Sequence, residues 1–207
     1  MDVSPLFALR LLTPRLELRL PSSGELVELR DLARAGIHPA DFMPFAYAWT
    51  DEPYSEEWLV AFHEGQRAAW RPEAWSLELG VWSDGRLAGI QTVVGKHFAQ
   101  SRTVATGSWL GLPFQRHGIG TEMRTAVLEL AFCGLGAEVA RSGAIDGNVA
   151  SARVSEKLGY RVTGRGTVSP RGVETGHTDF ELRREDWRPP LAVEIAGLEP
   201  CLPLFGL

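Results

Sequence analysis

The residues whose types and spacing could do chemistry begin with Gln115-Arg116-His117-Gly118-Ile119-Gly120-Thr121. An apolar, strand-like run ends just before them at Pro113, and a helical pattern starts just after them. A strand, a glycine-bearing turn and a helix N-terminus make a cradle for an anion. The first N–H groups of a helix lack internal acceptors and sit at the positive end of its dipole. Gly118 and Gly120 let the backbone approach a bulky phosphate without a Cβ in the way. A pyrophosphate fits such a loop; the two glycines alone fit a ligand-free turn equally well. About thirty residues on, Asn148 stands where a helix N-cap belongs, after an Asp146-Gly147 turn.

The elements that must position these groups can be read along the chain. Residues 6–20 read as one extended segment in which Leu16, Leu18 and Leu20 alternate with Glu17 and Arg19. Ser22 or Ser23 caps a helix bearing Leu26, Leu29, Leu32 and Ala33, stopped by Gly36. Residues 37–53 hold three prolines and four aromatics, too broken for a helix and too apolar for a solvated linker. Phe42, Phe45 and Trp49 there either fill core or line a pocket. A second helix spans Ser55 to Trp70, with Ser55-Glu56-Glu57 as its capped start and His63 on the surface or half-buried. Strands at 75–82 and 86–95 form a hairpin about Asp84-Gly85, and residues 102–112 make the next strand. A helix follows Gly120, with Cys133 as a buried thiol on its apolar stretch. Residues 138–145 are a strand, and 149–158 a helix with Val149, Ala152 and Leu158 inward. Residues 160–162 and 179–182 are strand-like, and 164–177 is a flexible connection.

Composition narrows the classes. The 207 residues are 44% hydrophobic and 23% charged, enough for a core without staples. The net charge of -5 and the absence of a basic stripe argue against nucleic acid as a partner. Cys133 and Cys201 are too far apart for a metal-ligand spacing, so no metal is expected. No apolar stretch reaches membrane-spanning length, and a cytoplasmic protein is the default. The apolar end, Cys201-Leu202-Pro203-Leu204-Phe205, must be covered by its own domain or by another subunit.

Three stretches together resemble the GCN5-related N-acetyltransferase (GNAT) superfamily, and within it the RimJ/RimL-like branch. They are Thr13-Pro14-Arg15-Leu16-Glu17-Leu18-Arg19, Trp109-Leu110-Gly111 with the 115–121 loop, and Asn148 to Tyr160. The tail is similar to the extension of an actinobacterial subgroup that uses succinyl-CoA. The resemblance implies an α+β GNAT fold: a mixed, mostly antiparallel seven-stranded sheet, splayed at the middle and flanked by four or more helices. It implies one domain over residues 1–185 with residues 186–207 as an extension, in a homo-oligomer. It implies acetyl-CoA or succinyl-CoA as co-substrate, an amine acceptor, and direct attack in a ternary complex. Pantetheine would lie along Trp109, Leu110 and Gly111. Pyrophosphate would lie on Gln115, Arg116, His117, Gly118, Ile119, Gly120 and Thr121. Asn148 would bond pantetheine, and Ser151 would give the leaving thiolate its proton. Asp146 is a candidate base, while Phe45 and Trp49 would form the acceptor wall. For a succinyl carboxylate a basic partner is required, with His38, Arg67, Arg71 and Arg102 as candidates.

Overall fold

The computed structural model describes residues 1–51 and 56–207. The expected Ser55 cap therefore lies outside the described residues. Among the described residues nine strands form one sheet in the order β7-β8-β6-β5-β4-β3-β2-β1-β9. They are β1 (Arg10–Leu12), β2 (Leu16–Arg19), β3 (Ala74–Ser83), β4 (Arg86–Lys96), β5 (Thr103–Leu110), β6 (Val139–Ile145), β7 (Arg161–Val168), β8 (Thr175–Arg183) and β9 (Glu194–Ala196). The helices are α1 (Ser23–Ala35), α2 (Glu56–Ala68), α3 (Phe98–Ser101), α4 (Ile119–Glu129) and α5 (Val149–Lys157).

Nine strands rather than seven arise for two reasons. Thr13-Pro14-Arg15 does not start the first strand but turns it, so β1 pairs antiparallel with β2. The tail then adds β9 against β1, and Trp187, Cys201, Leu204 and Phe205 are buried on the same core. Trp187 packs against Phe132 and donates to Glu129, and Trp70 donates to the Leu204 carbonyl.

β5 and β6 are the parallel pair. Their pairing runs only from Thr103–Val139 to Ala105–Arg141, after which the strands part, and Thr106 makes a last side-chain bond to the Arg141 carbonyl. The sheet therefore forks at its centre. α4 and α5 pack on one face of the sheet with Leu77, Leu79, Val93, Val104 and Phe180. α1 and α2 cover the other with Trp82, Ile90 and Trp109.

Local chemistry explains most boundaries. Ser22 and Glu25 form a reciprocal capping box at α1, and Arg19 holds the Glu25 carboxyl down to about 2. Asp84 and Gly85 both take positive φ, which matches the two-residue hairpin between β3 and β4. Gly89 is needed where β4 passes β5: a Cβ there would sit 2.1 Å from the Trp109 carbonyl oxygen.

Several expectations are corrected. Residues 164–177 are not a flexible connection but most of the β7–β8 hairpin, with a short 3-10 turn at Pro170–Gly172. Nearly every β7 side chain is exposed, so the strand carries no apolar alternation and is held by backbone pairing. Cys133 is exposed, because the helix widens into a π turn over Leu130–Gly134 and turns it outward beside Glu129. Burial of its surroundings and the Glu129 carboxylate raise its thiol to about 11. Val149 is exposed in the first turn of α5, next to the exposed Asp146-Gly147 turn. His63 is only 4% exposed, inside the packing of α2 rather than at its surface.

Candidate active site

The loop before α4 is shaped as an anion cradle. The Gln115 N–H closes a turn on Leu112, and the Thr121 and Glu122 N–H groups return to Gly118. Between them, the backbone N–H groups of Arg116, His117, Gly118, Ile119 and Gly120 find no acceptor among the described residues. Arg116 (φ 64) and Gly118 (φ 83) take the left-handed conformation that gathers successive N–H groups. Unpaired N–H groups at a helix start, on an exposed loop, suit a phosphate.

The turn between β1 and β2 braces this loop. Arg15 pairs with the buried Glu122 at 2.6 Å and donates to the His117 carbonyl at 3.1 Å, while Thr13 bonds Glu122 at 2.6 Å. One Arg15 nitrogen lies 3.3 Å from where a Cβ on Gly118 would be. Arg15 therefore brings positive charge to the cradle. Sequence reasoning missed this because the two residues are a hundred positions apart. Gln115 plays another part: its amide donates to the Ile37 and Leu110 carbonyls at 2.6 and 2.8 Å, tying the loop to β5.

The fork opens beside the cradle. Leu110 ends β5 at its mouth with Gly111 just after it, and Gly120 faces the gap, since its Cβ would meet Val154 of α5 and Leu110 at 3.6 and 4.0 Å. On the far wall Asn148 caps α5, accepting from the Ser151 N–H at 3.1 Å. Its amide donates to the Pro44 carbonyl at 3.3 Å. The Ser151 hydroxyl is half-buried and has no partner among the described residues.

Across the other face lies the aromatic loop. Phe45 packs tilted against Trp49 with centroids 5.0 Å apart, and Trp49 against Trp109 of β5 at 5.8 Å. Phe42 lies against Gly147, and Asp51 pairs with Arg171 of the β7–β8 hairpin at 2.5 Å. The loop thus runs from β5 to α5 and the hairpin, and roofs the fork. The Trp109 side chain belongs to this roof.

His177 and Glu78 point to the roofed face, whereas Asp146 meets Gly176 on the face that carries Phe180 and Leu182. Asp146 is exposed at the end of β6, its carboxylate against Gly176 of β8. His177 sits over Gly143 of β6, with Nδ1 3.3 Å from Asp179. Glu78 of β3 accepts from Ser76 and Thr92, each at 2.6 Å, and burial raises its pKa above 4.5. Glu78 escaped notice in the sequence because it is one of the polar positions in an alternating strand. Its raised pKa means that the folded state holds a proton that the unfolded chain has lost above about pH 4.5. Stability therefore falls as pH rises through that window. Glu78→Gln keeps the volume, and we expect it to flatten this fall in urea unfolding followed from pH 4 to pH 8.

An acetyltransferase (GNAT) domain family matches residues 15–161. An acetyltransferase of the GNAT family from Bacillus anthracis is 18% identical, with a TM-score of 0.68 over 85% of this chain and 99% of that one. RimL, a ribosomal L7/L12 alpha-N-protein acetyltransferase in complex with coenzyme A, is 14% identical with a TM-score of 0.68, covering 84% and 97%. The microcin C7 self-immunity acetyltransferase MccE, in complex with acetyl-CoA and AMP, is 17% identical with a TM-score of 0.66, covering 82% and 93%. The chain belongs to the GNAT acetyltransferases. Among the described residues no helix is long and apolar enough to cross a membrane.

Proposed function

We propose that the chain is an N-acyltransferase of the RimJ/RimL-like branch, moving an acetyl or succinyl group from CoA to an amine by direct attack in a ternary complex. The observation that carries this reading is the row of five unclaimed N–H groups at residues 116–120, set beside a sheet that forks after Ala105–Arg141. The cradle takes the pyrophosphate, with Arg15 and Arg116 adding charge. The pantetheine amides take the place of a missing strand along Leu110 and Gly111 on one side and Asn148 on the other.

Attack by the amine nitrogen on the thioester carbonyl forms a C–N bond and breaks the C–S bond. Backbone N–H groups at the end of β5 stabilise the oxygen. The Ser151 hydroxyl, at the positive end of α5, gives the thiolate its proton and regains one from solvent. The amine loses its proton to Asp146, or to His177 held by Asp179. The acceptor enters under the roof of Phe45 and Trp49. RimL supports a protein α-amino group as one acceptor class; a lysine or a small amine fits the same opening.

The test is free-thiol release from acetyl-CoA and succinyl-CoA with a panel of amines, beside thermal stabilisation by CoA. Turnover is expected to fall by about a hundredfold or more in Ser151→Ala and in whichever of Asp146→Asn and His177→Gln removes the base. Stabilisation without thiol release would reduce the chain to an acyl-CoA-binding module. No stabilisation by any CoA would overturn the reading.

A further inference from the structure

Glu78 is a carboxylate without a cation. It stands at the middle of β3 on the roofed face, half-buried, and accepts from the Ser76 and Thr92 hydroxyls, each at 2.6 Å. A carboxylate drawn into the fold ordinarily meets a basic partner, since an unpaired charge there is costly. Other carboxylates follow that rule: Glu25 pairs with Arg19, Glu122 with Arg15 and Glu181 with Arg141. Glu78 has only its two hydroxyls among the described residues, and burial raises its pKa in spite of them. An ionised carboxylate offers about four acceptor sites, so part of this one is still open.

The floor between Glu78 and the fork is bare. Glu78 faces Thr92 of β4, and Thr92 faces Gly107 of β5, so the three share one face in a row across the sheet. Ala105 and Gly107 are exposed there, although β5 lies deep inside the nine-stranded sheet. A Cβ on Gly107 would meet nothing within 4 Å. Thr92 and Val94 beside them are only half-buried. The elements over this face therefore leave a trench open above β4 and β5. Gly107 lies past the last strand pair, Ala105–Arg141, so the trench meets the fork at Gly107. Across the fork the same face carries Arg141, already paired with Glu181, and His177 beside Asp179.

We propose that Glu78 is the acceptor subsite for a second positive charge, so that the preferred acceptor carries another ammonium or guanidinium group a short chain away from its reacting amine. The inference rests on the N-acyltransferase reading above and sharpens it to an acceptor class. Pantetheine enters at Leu110 and runs inward along β5, which brings the thioester, and the amine attacking it, over Gly107. The bond to Thr92 draws the Glu78 carboxylate toward β4, and β5 lies one further strand spacing of ~4.8 Å away. Together these put roughly 7 Å between the carboxylate and Gly107. A charge-assisted bond of ~2.8 Å takes up part of that distance. A chain of about three to four carbons, with bonds of ~1.5 Å, spans the rest. The cation held by Glu78 is not the reacting nitrogen, which must be neutral and beside the thioester when it attacks. An arriving cation favours the ionised carboxylate and so offsets the cost of its burial.

The test compares tetramethylenediamine with n-butylamine, which has the same chain and one charge fewer, as acceptors from acetyl-CoA on the unaltered protein. The diamine is expected to be preferred by at least about tenfold in kcat/KM, the worth of a charged hydrogen bond, beyond the doubling that its two equal ends give. Glu78→Gln should reduce the preference to that doubling by raising KM for the diamine. KM for acetyl-CoA should not change, which a merely structural role would not ensure, and CD checks the fold. Equal use of the two amines by the unaltered protein, or turnover of neither, would overturn the assignment even if Glu78→Gln does not fold. Thiol release with any other amine would then leave the acyltransferase reading standing. Failure with every amine, without stabilisation by CoA, would remove the reading itself.

Discussion

Gly120→Trp is expected to bind CoA at least a hundredfold more weakly while keeping the fold. A Cβ at this position makes only ordinary contacts, 3.6 Å from Val154 and 4.0 Å from Leu110, and no left-handed backbone is required there. Gly120→Ala should therefore fold like the parent, and by helix propensity gain up to about 1 kcal/mol. The indole of tryptophan has no such freedom: it must enter the gap between α4, β5 and α5 or cover the N–H row. Losing two charge-assisted bonds of ~1.5 kcal/mol each corresponds to roughly a hundredfold or more in affinity. Calorimetric titration with CoA checks it, with CD to show the fold. Parent-like affinity in a folded Gly120→Trp protein would move the pyrophosphate away from this loop.

The second large effect is on stability and comes from His63. Burial holds this histidine at about 4, and the Arg67 guanidinium one turn on adds to the shift. The folded state keeps it neutral, while the unfolded chain protonates it below its ordinary value of 6.5. Between those values the unfolded state binds the extra proton, so stability falls as pH drops from about 6.5 to about 4. The full contribution is on the order of 3 kcal/mol. His63→Leu should remove that part of the acid loss, giving a shallower pH dependence of urea unfolding than the parent. Parallel curves for the two proteins would show that His63 is hydrated rather than buried.

Much of the frame was legible because it is local. The β3–β4 hairpin was written in its alternation and in Asp84-Gly85, and α1 in Ser22 and Glu25. The cradle and the Asn148 cap were visible as turn and cap residues at helix starts. What failed was what depends on neighbours distant in sequence. β7 has exposed side chains on both faces, so periodicity offered nothing and the segment looked like a linker. His63 and Cys133 exchanged expected environments: helix packing covers one, and a π turn exposes the other.

The same limit hid the settings of two arginines. Arg124, a single cation in an apolar helix, looks solvated until Ser108 and Ser142 are seen on either side of it. Arg15 looks like a strand-end charge until Glu122 and His117 come to meet it. Glu129, on the same helix as Arg124, shows the contrast: its carboxylate serves the tail, accepting from Trp187 at 2.8 Å.

The central claim is that CoA enters the fork with its pyrophosphate on the cradle. A crystal structure with a non-hydrolysable acetyl-CoA analogue tests it most directly. The account predicts phosphate oxygens on the N–H groups of residues 116–120 and pantetheine between β5 and β6. Phosphates bound elsewhere, with the N–H row still bare and the fork empty, would contradict it.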